Sequence, residues 1–132
     1  MKQIFVDTSA WLAYANRRDP DHTRVRRAFR AAKERFVTSN FVFDEVITFC
    51  QKRFGHKATV QLGTVLRDAK VVELVRLTFQ DEEDAWNLLI DRPDKDYSFT
   101  DCTSFGLMRR LGITKALSLD ADFRQEGFDV AP

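Results

Sequence analysis

Three short runs containing apolar residues end in an acid in this 132-residue chain: Ile4-Phe5-Val6-Asp7, Ser98-Phe99-Thr100-Asp101 and Ala116-Leu117-Ser118-Leu119-Asp120. A fourth acid, Glu45, sits inside an apolar helical pattern. Carboxylates gathered at one sheet edge repel one another, so their grouping is favourable mainly when a divalent cation lies among them. A cation held that way lowers the pKa of a water and relieves negative charge on a phosphate. The expected chemistry is metal-dependent hydrolysis.

Each acid also has a plainer role open to it. Asp7 follows a strand pattern and precedes Thr8 and Ser9, a common place for a helix cap. Asp101 follows Ser98 by three residues, the spacing of a capping box, yet it shares a helical stripe with Ser104, Phe105 and Met108. Glu45 is different, because Val42, Val46 and Phe49 lie on its stripe while Asp44 faces away with Thr48 and Gln51. An inward carboxylate needs a cation or donors, since an unpaired buried charge costs several kcal/mol. Asp120 and Asp122 flank Ala121 in one turn that Phe123 is expected to anchor, and spacing ranks neither above the other. Asp94 and Asp96 are expected in solvent. With oxygen donors and no Cys or His cluster, the site favours Mg²⁺ or Mn²⁺ over zinc. His22 and His56 are far apart in sequence, which argues against histidine acid–base chemistry.

The elements that would carry these acids alternate. Strands are predicted at 3–6, 36–38, 71–74, 115–117 and 128–130, and helices from Thr8 through Ala15 and at 22–35, 41–54, 57–68, 78–90 and 100–111. That alternation implies a mostly parallel five-stranded sheet between helix layers, a three-layer α/β/α sandwich whose ligands bind beyond the carboxyl ends of the strands. One domain over residues 1–132 suffices for a core, and the 12 phenylalanines make it aromatic. Cys50 and Cys102 lack a CxxC spacing and are expected to be buried and reduced; with no secretory signal and no apolar span, a cytoplasmic location follows.

A net charge of +1 conceals an asymmetry. Residues 17–35 hold eight basic and three acidic side chains, whereas residues 81–101 hold eight acidic and two basic. Arg24, Arg26, Arg27 and Arg30 lie on an amphipathic helix suited to contacting a nucleic-acid backbone, although a solvated helix face would look the same.

Val6-Asp7-Thr8-Ser9, Phe43-Asp44-Glu45-Val46, Tyr97-Ser98-Phe99-Thr100-Asp101-Cys102 and Ser118-Leu119-Asp120-Ala121-Asp122-Phe123 resemble, in order and spacing, the motifs of PIN-domain ribonucleases, and within them the VapC-type toxins of toxin–antitoxin pairs. The resemblance spans nearly the whole chain. It implies an acidic quartet of Asp7, Glu45, Asp101 and Asp120, with Asp7, Asp101 and Asp120 holding Mg²⁺ or Mn²⁺. Thr8, Ser9 or Thr100 would orient water or phosphate, and Asp122 would support or replace Asp120. It also implies an RNA substrate, a small antitoxin as partner and a homodimer. Two other readings compete: a catalytically silent PIN-like RNA-binding module, and a phosphorelay receiver domain. The receiver would need adjacent acids after the first strand and a lysine after the last, which Asp7-Thr8-Ser9 and Val130 do not supply.

Overall fold

Ile4, Phe5 and Val6 are buried on all sides, the pattern of a central parallel strand rather than of an alternating edge strand. The computed structural model describes residues 2–132. Its strands are β1 (Gln3–Val6), β2 (Arg35–Ser39), β3 (Val72–Val75), β4 (Lys115–Leu117) and β5 (Asp129–Ala131), all parallel in the order β3-β2-β1-β4-β5. β1 pairs on both sides, Phe5 opposite Val37 and Ala116.

The helices are α1 (Thr8–Ala15), α2 (His22–Ala31), α3 (Asn40–Phe54), α4 (His56–Leu66), α5 (Phe79–Asp91), α6 (Phe99–Leu111) and α7 (Asp122–Gln125). The chain moves outward from β1 to β2 and β3, then crosses back to β4 and β5 on the other side. Right-handed crossovers place connections that run in opposite directions on opposite faces of the sheet. The expected sandwich is therefore present, with a fully parallel sheet.

Local chemistry sets the element ends. Ser39 caps α3 by accepting the Val42 N–H at 3.1 Å, and Thr78 and Ser98 form capping boxes with Asp81 and Asp101 at the starts of α5 and α6. α6 stops at Gly112, whose φ of 70° is in the left-handed region, while the Ile113 N–H returns to the Met108 carbonyl at 2.8 Å.

Two expectations change. The basic helix ends at Ala31 and does not continue to Arg35, because Arg35 opens β2 opposite Gln3 and donates its N–H to the Lys2 carbonyl at 2.8 Å. Pairing with the sheet wins over a few residues of helical propensity. The turn after β4 contains a four-residue helix, α7. Phe123 anchors it as expected: fully buried, its ring lies 4.9 Å from that of Phe105 and 6.5 Å from that of Phe5. Elsewhere the predicted ends fall within two residues of the observed ones. Cys50 and Cys102 are free and buried, and among the described residues no helix is long and apolar enough to cross a membrane.

Candidate metal centre

The sheet order reverses between β1 and β4, so their carboxyl ends open a crevice where the following connections part to opposite faces. Asp7 directly follows β1, and Ser118 to Asp122 directly follow β4. α3 packs against α6, and Phe41 meets Phe99 with ring centroids 6.1 Å apart, so the first turns of these helices adjoin. The four sequence segments singled out by their acids thus meet around one end of the sheet.

Asp7 stands at the N-cap position of α1, yet its side chain makes no capping bond. Instead Ser9 Oγ and Ser118 Oγ donate to Asp7 Oδ2 at 2.9 and 3.0 Å. The same hydroxyls accept the Leu119 and Asp120 N–H groups at 3.0 and 2.9 Å, fastening the turn after β4 to the start of α1. Asp7 is 4 % exposed. Burial pushes its pKa up to about 6, with the Asp120 charge adding, while the serine hydroxyls and the Thr8 N–H pull it down.

Asp101, Asp120 and Asp122 each place one carboxylate oxygen within 4.8 Å of the other two. Burial, followed by the charge of Asp7, lifts Asp101 to about 7, although the Ser98 N–H donates to its Oδ2 at 3.2 Å. Asp122 is also shifted upward, by burial and then by Asp120. Its N–H donates to Asp120 Oδ1 at 3.1 Å, which fixes the turn. Asp120 and Asp122, alternatives by spacing alone, both reach the centre. Asp7 lies outside this trio and connects to it through Ser118 and through its effect on Asp101.

Three carboxylates held together at such cost suit a hard divalent cation, which would replace mutual repulsion by attraction. Thr8 points the same way, because its buried Oγ1 has no hydrogen-bond partner.

The remaining expected residues divide. Glu45 is half-buried and Asp44 exposed, as the helical stripe implied, but Phe49 on that stripe is 38 % exposed. Glu45 is not part of the compact trio. Ser9 is committed to Asp7, Leu119 and Ser118, so it organises the acid and is not free to orient substrate. The Thr100 carbonyl accepts the Thr103 and Ser104 hydroxyls at 2.6 and 3.1 Å. Arg26, Arg27 and Arg30 are exposed on α2, whereas Arg24 pairs with Asp21 at 2.9 Å. Asp94 and Asp96 are exposed. Ser118 joins the site without being one of the residues expected there; its signal in the sequence is a lone hydroxyl in an otherwise apolar run two residues before Asp120.

A parallel sheet with acids at its switch point defines a class of α/β domain suited to cation-assisted phosphate chemistry. The chain belongs to the PIN-domain family, whose model, described as PIN domain, matches residues 4–128. It is 39% identical over 125 residues, 95% of each chain, to the 23S rRNA-specific endonuclease VapC20 of Mycobacterium tuberculosis, strains CDC 1551 / Oshkosh and H37Rv. The crystal structure of M. tuberculosis VapC20, described as a Sarcin-Ricin loop cleaving toxin, superposes with a TM-score of 0.92 at 38% identity, covering 98% of this chain and 99% of that one. DNA-bound VapBC from Salmonella typhimurium shares the fold, with a TM-score of 0.72 at 13% identity over 98% of this chain and 97% of that one.

Proposed function

We propose that this chain is a metal-dependent endoribonuclease, the toxin of a toxin–antitoxin pair, acting in the cytoplasm as one domain over residues 1–132. The observation that carries this reading is the convergence of Asp101, Asp120 and Asp122 within 4.8 Å beside the buried Asp7. VapC20, with its ribosomal RNA substrate, makes structured ribosomal RNA the first substrate to try.

In this reading Asp101, Asp120 and Asp122 hold Mg²⁺ or Mn²⁺, and Asp7 completes the negative charge of the site. When bound, the cation supplies Lewis acidity toward the phosphate and activates water. Ser9 and Ser118 donate to Asp7 and keep its carboxylate in one orientation beside those ligands. Glu45, half-buried on α3, positions water or a further cation. Thr8, with its unpartnered hydroxyl, and Thr100, at the start of α6, orient water or a phosphate oxygen. Because water and not the ribose 2′-hydroxyl is the nucleophile, the products carry 5′-phosphate and 3′-hydroxyl ends.

Incubating RNA with the protein and Mg²⁺ or Mn²⁺, and mapping the product ends, tests this directly. Cleavage that persists in chelator, or products ending in 2′,3′-cyclic phosphate, would overturn it.

Arg26, Arg27 and Arg30 contact RNA phosphates. Replacing all three by glutamine is expected to weaken RNA binding and to lower the slope of log affinity against log salt by about 2, as for three lost single-strand phosphate contacts. Titrations at several salt concentrations measure this, and an unchanged slope removes α2 from the RNA surface. A small antitoxin and a second copy of the chain are the proposed protein partners, the first supported by the VapBC neighbours.

A further inference from the structure

We infer that Glu126 is a positioning residue for the acidic centre, a buried carboxylate that fixes the helix bearing Asp101 against the turn bearing Asp120 and Asp122. The inference rests on the metal-centre reading above. The Glu126 side chain is 4 % exposed and collects three donors from three places in the chain. Arg92 Nε, after α5, reaches Oε2 at 3.1 Å; Tyr97 Oη, before α6, reaches Oε2 at 2.9 Å; and Arg109, in the last turn of α6, reaches Oε1 at 2.9 Å. Arg109 also donates to the Glu126 carbonyl at 2.9 Å and lies over the Phe128 ring, 5.1 Å from its centroid.

These contacts lie one step from the acids on each side. Tyr97 precedes Ser98, whose hydroxyl accepts the Asp101 N–H at 3.0 Å and whose own N–H holds Asp101 Oδ2. The Glu126 N–H donates to the Asp122 carbonyl at 3.1 Å. A shift of Glu126 relative to Tyr97 would therefore change how Asp101 faces Asp122. Phe105 and Phe123, with rings 4.9 Å apart, already join α6 to α7 through the core. The aromatic contact holds these helices together, and the polar clamp sets how they are placed. Outer-shell partners of this kind commonly change metal affinity by about 10–100-fold.

Calorimetric titration of the full chain with Mn²⁺ separates this role from ordinary stabilisation. Glu126→Gln removes the charge, and Tyr97→Phe removes one hydrogen bond while keeping both arginine pairs. Arg110→Gln is the control: it breaks the Arg110–Asp81 pair, at 2.7 Å, between α5 and α6, without touching the clamp. Expected is a roughly tenfold weaker Mn²⁺ affinity in Glu126→Gln and in Tyr97→Phe, with Arg110→Gln binding as the wild type does even where its thermal midpoint falls as far. Wild-type affinity in Tyr97→Phe and in folded Glu126→Gln, or an equal loss in Arg110→Gln, would overturn the inference. A wild-type protein that binds no Mn²⁺ would overturn the metal-centre reading itself, and this inference with it.

Discussion

Replacing Asp7 by asparagine is expected to slow RNA cleavage by roughly 10²–10³-fold and, in the absence of metal, to make the protein more stable. The two effects share one cause. Asp7 is buried, and its pKa stands at about 6 against an ordinary 3.8, so at pH 7.5 the fold holds an ionised carboxylate that it would bind more readily as the acid. A raised carboxyl pKa means that ionisation costs stability at every pH above it. Asparagine has nearly the same shape, and its carbonyl oxygen still accepts the Ser9 and Ser118 hydroxyls. It carries no charge, so a gain of about 1–2 kcal/mol follows, less than the full shift implies because surrounding groups relax. The same loss of charge removes an anion next to the site of Asp101, Asp120 and Asp122. A loss of several kcal/mol in transition-state stabilisation corresponds to a drop in rate of roughly 10²–10³-fold. Cleavage assays with metal and thermal unfolding without it measure both sides. An active Asp7→Asn protein would end the acidic-centre mechanism, and an inactive but clearly destabilised one would make Asp7 structural.

The contrast between Asp7 and Asp101 marks where sequence reading stops. Both acids lie where a helix cap is expected, and only Asp101 enters a capping box. Spacing gives backbone position but not rotamer; Asp7 is held in its orientation by Ser9 nearby and by Ser118, 111 residues distant in sequence. For the same reason Ser118 escaped notice, because its role exists only once β4 lies beside β1. The strands and longer helices were legible, since buried runs and helical stripes are local signals. The four-residue α7 was not, being too short for periodicity and held chiefly by the tertiary packing of Phe123. Asp120 and Asp122 could not be ranked because the answer depends on that small helix. It brings both carboxylates to Asp101.

Raising the pH from 5 to 8 is expected to destabilise the metal-free protein, and adding Mg²⁺ or Mn²⁺ to reverse the loss. Asp7 and Asp101 titrate at about 6 and about 7 in the fold, and both have an ordinary value of 3.8. The folded state therefore holds their protons through a range in which the unfolded chain has released them. Stability is full below about pH 4 and falls as pH rises through about 7. Asp81, Glu126 and Glu34 are shifted downward, and stabilise the fold until pH falls below the ordinary carboxylate range. Their window lies under pH 5 and does not enter the comparison. The charge of Asp7 is part of what raises Asp101, so their contributions do not add; about 2–3 kcal/mol between pH 5 and 8, or roughly 6–12 °C in thermal midpoint, is expected. A cation competes directly with the proton on Asp101, and its charge disfavours the proton on the adjacent Asp7. It should bind weakly at pH 5 and tightly at pH 8, restoring ~2.7 kcal/mol at a hundredfold excess over its Kd. Thermal unfolding at both pH values, with and without cation, gives all four quantities. A midpoint that rises from pH 5 to 8 without metal, or cation stabilisation of equal size at both, would mean that these carboxylates do not form the cation site.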